Sequence, residues 1–185
     1  MKEELKDLSK PLPISSIDFR VQSINNGGYA TILAYKDARV DMQRLDEVAG
    51  PLQWKREHTR DNKNCIVSIW SDQLKQWVSK EDTGTESNTE QANGLASYSF
   101  KRACLNWGIG RELYDYPMIS IKLNPNEFKI VPANGQYKEK AQATWDLKIK
   151  QWKWGSEFKD GTLVALAAKD EKGNVRFKYG EFSKK

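Results

Sequence analysis

The sequence predicts an α+β fold in which a strand, a helix, an antiparallel meander and a second helix are followed by a C-terminal strand-rich extension. Three observations predict it. YATILAY at 29–35 is apolar and rich in residues that favour strands. LASYSFKRACLNW at 95–107 places apolar residues at helical spacing ahead of Gly108. Beyond Pro117 the chain breaks into short apolar or alternating runs separated by turn residues.

Taken in order, residues 1–13 form a mobile arm or a short helix ended by Pro11 and Pro13. IDFRVQSI is an ordered segment, and NNGGY after it is a turn, because Asn and Gly accept positive φ at little cost. From Asp41 to Ala49, Met42, Leu45 and Val48 recur at three-residue steps and give a short helix one apolar side, stopped by Gly50 and Pro51. HTRDNKNC is a polar turn, NCIVSIW a β-branched run, SDQLKQ a second turn and WVSKEDTGT a further strand, which together make the meander. TESNTEQANG is a polar loop leading into the second helix. The extension carries strands at MISIKL, EFKIV, ATWDLKIKQWKW, GTLVALAAKD and NVRFKYG, with DEKGN as a hairpin turn between the last two.

The composition narrows the class of protein. The chain has 185 residues, enough for one domain with a substantial core, and its 7 Trp, 7 Tyr and 6 Phe argue against general disorder. A formal charge of +5 favours an anionic partner, though a surplus of this size is weak evidence alone. Cys65 and Cys104 stand far apart and His58 is the one histidine, so neither a disulfide framework nor zinc-ligand spacing is present, in keeping with a reducing cytoplasm. MKEELKDLSKPLP lacks the form of a signal peptide, and no run of about eighteen apolar residues occurs, so no membrane partner is expected.

On a helical wheel of roughly 100° per residue, Ala96, Phe100, Ala103 and Trp107 share one stripe that should pack on the sheet. Lys101 and Arg102 project from the far half, with Tyr98 and Leu105 between them as a second apolar ridge. That ridge meets either a neighbouring subunit or a loop of the same chain. The basic pair is either a solvated helix face or a nucleic-acid contact.

KRACLNWGIGRELYD, preceded by EDTGT, resembles the central signature of the Sak-type phage single-strand annealing proteins, a Rad-fifty-two-like family. IDFRVQ, RLDEVAGP with Trp54, and the meander through WVSKEDTG occur in the same order as in that family, so the resemblance covers roughly 14–118. It implies an antiparallel β-β-β-α sheet-and-helix core of the single-strand annealing type in residues 1–118; beyond it the short strands of 119–185 are expected to form a β-rich extension packed on the same domain. It also implies a homo-oligomeric ring with a basic groove for single-stranded DNA, and annealing of complementary strands to a duplex in homologous recombination without ATP. No GxxxxGK[ST] loop is present, and no cofactor or metal is expected. The family's Lys-Arg pair on the long helix matches Lys101 and Arg102, and its Arg near the start of the earlier helix matches Arg39. A phage origin, a bacterial host cytoplasm, and a partner exonuclease or host single-strand-binding protein accompany the resemblance. Such a protein needs no catalytic residue: annealing breaks no covalent bond, and its barrier is repulsion between phosphate backbones and unproductive strand structure.

Other candidates are less specific. Arg111 is a further phosphate contact or an ion-pair partner of Glu112 or Asp115. DLKIKQWKW at 146–154 alternates as a strand, with Lys148, Lys150, Trp152 and Trp154 on one face; those residues hold a second strand or duplex, or are core Trp with Lys at the rim. Asp46-Glu47 and Glu81-Asp82 lack the further ligands of a hard cation, and His58 beside Glu57 is a surface residue. Two other function classes compete: a metal-dependent nuclease built on the ExK strings Glu127–Lys129 and Glu157–Lys159, and a single-strand-binding module that protects without annealing.

Overall fold

A computed structural model describes residues 3–84, 92–132 and 139–183 of the chain. Its elements in order are β1 (Asp18–Ile24), β2 (Tyr29–Tyr35), α1 (Ala38–Val48), β3 (Trp54–Thr59), β4 (Asn64–Ser71), β5 (Gln76–Thr83), α2 (Ala92–Asn106), β6 (Ile119–Lys122), β7 (Phe128–Pro132), β8 (Glu139–Ala143), β9 (Lys153–Lys159), β10 (Thr162–Lys169) and β11 (Val175–Gly180). Short 3₁₀ turns occupy Glu3–Ser9, Ile14–Ser16, Arg111–Asp115 and Ile149–Gln151. The described strand pairings are all antiparallel, and the fold is α+β.

The chain divides into two compact units, the first comprising 1–12 and 36–111, the second 13–35 and 112–185. In the first, β3-β4-β5 form a sheet and α2 packs across β4 and β5, with α1 against α2. Alternation along β4 sends Cys65, Val67 and Ile69 toward the helices, each at most 2% exposed. From α2 come Leu95, Ser99, Phe100, Ala103 and Cys104, so the buried stripe takes in Phe100 and Ala103 as expected but is wider than the four residues on the wheel. Trp107 is half-buried and donates its indole N–H to the Val67 carbonyl at 3.1 Å. Burying Phe100 alone contributes about 2–3 kcal/mol. Within the N-terminal segment Glu3–Ser9 form a 3₁₀ helix, Leu8 and Leu12 are buried, and the Arg44 guanidinium donates to the Asp7 and Lys10 carbonyls at 2.7 and 2.9 Å.

In the second unit β1-β2-β6 and β11-β10-β9 form two three-stranded sheets, and β7-β8 a hairpin. Here one expectation fails. ATWDLKIKQWKW is not a continuous strand: β8 ends at Ala143, Trp145 is 97% exposed, and Ile149–Gln151 make a 3₁₀ turn before β9 begins at Lys153. Ile149 and Trp152 are both buried, because residues three apart lie on one side of such a turn. Trp154 stacks on Phe19 with ring centroids 3.6 Å apart, and Arg176 lies over Trp152, its guanidinium 4.6 Å from the ring centroid. The Trp152 indole is therefore a core group, and that of Trp154 is half-buried. The polar loop expected at 85–94 falls outside the described residues as far as 91, and 92–94 belong to the first turn of α2.

Candidate nucleic-acid interface

Helix α2 organises the cations of the first unit. Its entry is set by Gly84 at the end of β5, where a Cβ would stand 3.0 Å from the Ser99 backbone nitrogen, so only glycine lets the strand end approach the helix this closely. Its exit is set by Gly108 at φ +100° and Gly110 at φ +75°. A Cβ at Gly110 would collide with the Lys36 side chain. These glycines explain why EDTG and GIG bracket the helix in sequence.

Around the helix the cations fall into two groups. Arg39 and Lys101 lie toward the start of α1: Arg39 Nε donates to Asp37 Oδ1 at 2.9 Å, and Asp37 caps α1 by accepting from the Arg39 backbone N–H at 2.8 Å. The hydrogen bonds from Arg39 hold the Asp37 carboxyl below the usual range, with a smaller contribution from the positive charge of Lys101. Lys101 Nζ lies 5.9 Å from the Tyr98 ring centroid. Arg102, about 100° further round the helix, faces β5 instead and donates from Nε to Asp82 Oδ1 at 3.2 Å. Lys101 and Arg102 thus flank the helix, both half-buried, rather than standing together on its outer face.

The second group gathers where α2 ends. The Asn106 carbonyl accepts from Lys80 Nζ at 2.6 Å and from Arg111 Nη2 at 2.9 Å, while Arg111 Nε donates to the Leu105 carbonyl at 2.7 Å. Both ways of reading Arg111 from sequence overlooked this cap. Carbonyls at a helix C-terminus carry partial negative charge, so Lys80 and Arg111 are held there without loss of their own full charges. Burial and the positive charge of Arg111 lower the pKa of Lys80. With Arg102 the group has three cations and one carboxylate, Asp82.

Lys80 and Arg56 were not singled out from sequence. Lys80 Nζ sits 4.5 Å from the Trp107 ring centroid and the Arg56 guanidinium 4.8 Å from that of Phe100. The signal was available: Lys80 and Arg56 are both register partners of Val67, so alternation puts all three on the helix side of the sheet.

The remaining candidates are occupied. Asp46 accepts from the Trp54 indole at 2.7 Å, Glu47 from Gln43 at 2.8 Å and Glu81 from Asn64 at 2.6 Å. Glu127 accepts both Arg176 Nη atoms, at 2.8 and 2.7 Å, and Glu157 accepts the Ser183 backbone N–H at 2.9 Å. Among the described residues no group of three His, Cys, Asp or Glu side chains is placed to hold a metal ion, and no helix is long and apolar enough to cross a membrane. His58 is not a surface residue: it is half-buried, with Nδ1 3.4 Å from Ser99 Oγ, and burial followed by the charge of Arg56 lowers its pKa.

The arrangement can hold an anionic backbone along α2; beside the His58 imidazole, the Cys65 thiol with Sγ 4.0 Å from Nε2 is buried, which pushes its pKa up to about 11. Ser99, the hydroxyl nearest His58, donates instead to the Asn62 carbonyl at 2.8 Å. No family model matches the chain, and no solved structure matches it. Among curated proteins the chain is similar to the single-stranded DNA-binding protein DdrA of Deinococcus radiodurans, with 30% identity over 115 residues, 60% of this chain and 55% of that protein. The chain therefore spans little more than half the length of that relative.

Proposed function

We propose that this chain binds single-stranded DNA through the cations around α2 and anneals complementary strands without ATP, as a ring-forming member of the single-strand annealing proteins. The observation that carries the reading is the similarity to a single-stranded DNA-binding protein over 60% of the chain. The geometry supports it: Arg39, Lys101, Arg102 and Arg111 are all held by α1 and α2, rigid elements that can fix a phosphate backbone while base edges stay free to find a complement. Arg111 and Lys80 bring charge to the site without a carboxylate partner in the contacts described above. The ring and the annealing step rest on the ordered motifs between residues 14 and 118.

The test is to mix two complementary oligonucleotides with the protein and no nucleotide cofactor. An annealing protein accelerates duplex formation, whereas a module that only protects single strands slows it. Light scattering at micromolar concentration should give a multimer, and a clean monomer would count against the ring. Lys101→Ala and Arg102→Ala should each weaken binding irrespective of sequence and lower the slope of log affinity against log salt by about 0.7. Arg102→Ala should have the larger effect, since it also leaves the Asp82 carboxylate uncompensated beside the site. Wild-type binding and slope in both variants would remove α2 as the interface.

A further inference from the structure

The open face of the β9-β10-β11 sheet in the second unit carries charge that its own fold does not use. Register places Lys153 of β9 directly opposite Lys169 of β10, and Lys178 of β11 opposite Ala167, two residues along from Lys169. Paired residues project to the same face, strands are about 4.8 Å apart and residues rise about 3.3 Å, so the three ammonium groups are rooted within roughly 12 Å of one another. Like charges directly across a strand pair destabilise a sheet. All three lysines are exposed, and none forms an ion pair with a described residue.

An aromatic ring stands among them. Gly155 is opposite Ala167, and this small-residue floor lies between the Lys153–Lys169 pair and the strand ends. Phe182 rests on it: a Cβ on Gly155 would be 3.7 Å from Phe182 Cζ, and the residue is 41% exposed. Glu157, the one acidic side chain that the three strands project on this face, accepts hydrogen bonds from the Ser183 N–H and hydroxyl. That contact folds the C-terminal segment back over β9 and seats Phe182.

We propose that this face is a second binding site for single-stranded DNA, with backbone phosphates on Lys153, Lys169 and Lys178 and one base stacked on Phe182. Cations beside an exposed ring on a flat floor suit single strands, whose bases offer free faces; a duplex hides those faces in its own stack. The inference rests on the single-strand-binding reading above and extends it to residues beyond the stretch 14–118. Annealing requires two strands to be held, and a site in each unit would supply that.

The experiment uses the full chain and a fluorescent oligothymidylate. Replacing Lys153, Lys169 and Lys178 together by Ala should lower the salt slope by about 2, while the triple Lys→Arg variant keeps it. Phe182→Ala should weaken binding on the order of tenfold, consistent with the loss of one stacked base. Wild-type protein irradiated with an iododeoxyuridine-substituted strand should cross-link at the peptide containing Phe182. An unchanged slope in the triple Ala variant, or cross-links confined to other peptides, overturns the proposal. If Lys101→Ala weakens binding while the triple variant does not, only this second site falls; if wild-type protein binds no oligothymidylate, the functional reading falls as well.

Discussion

Asp41→Ala should destabilise the protein by about 3–5 kcal/mol at neutral pH, measured by urea unfolding. Lys36 and Asp41 form an ion pair in which the side chains are 5% and 0% exposed, so truncating the carboxylate strands a buried ammonium group. The site was built around that pair, since Gly110 leaves room for the Lys36 methylenes. A double replacement, Lys36→Met with Asp41→Leu, should recover most of the loss, because apolar groups of similar volume avoid the desolvation that the pair incurs. If the double variant is as unstable as the single one, the buried charges do not control this site.

The same carboxylate gives a pH signature. Burial raises the Asp41 pKa from 3.8 to about 6, against the opposing pull of Lys36, and its second oxygen has only the weakly donating Cys104 thiol beside it. Between those two values the folded chain keeps a proton that the unfolded chain has released. Stability relative to Asp41→Asn should therefore fall as pH rises from about 4 to about 6, by on the order of 2–3 kcal/mol, and stay level above that. A difference that grows with pH across this window would contradict the assignment.

Glu127→Ala should cost about 3 kcal/mol and act on folding rather than on chemistry. Glu127 binds Arg176 through both oxygens, and the two side chains are 8% and 9% exposed. Burial pushes the Glu127 carboxyl up, but the hydrogen bonds from Arg176 and from the Asn124 N–H together outweigh it and leave its pKa lowered. The loss should sit at the low end of the usual range for a broken buried pair, since Asp170 remains 3.6 Å from the same guanidinium. A nuclease reading of the Glu127–Lys129 string predicts the reverse: a stable variant that no longer removes labelled DNA ends in Mg²⁺. Urea unfolding and an end-release assay on the same preparation separate the two.

The parts of the fold that local pattern controls were legible. YATILAY is β2 to the residue, GTLVALAAKD and NVRFKYG pair through the expected hairpin, and α2 stops at the glycines that mark its end. The extension misled at ATWDLKIKQWKW because Leu147 and Ile149 alternate over too few residues to distinguish a strand from a 3₁₀ turn. Helix α1 begins three residues before the expected Asp41, since Asp37 caps it and the apolar spacing gave no hint of a buried aspartate paired with Lys36. The contacts of the candidate cations were not legible, and Lys80 and Arg56 beside them were missed. Residue spacing separates Lys101 from Arg102 by an angle, but only packing reveals that one turns toward α1 and the other toward β5, or that Arg111 closes the helix.

The order in which the chain visits its two units has a practical consequence for dissection. It enters the second unit at Pro13, leaves after Tyr35 and returns at Glu112. One scission therefore cannot release either unit whole: any single cut strands the β1–β2 hairpin with the wrong partner or removes the Glu3–Ser9 segment that Arg44 clasps. The first unit by itself would need residues 1–12 joined by a short linker to 36–111, and the second would need 13–35 spliced onto 112–185. Deletion mapping by progressive truncation would cut through one unit or the other, whereas these two rewired chains keep the segments of each unit together.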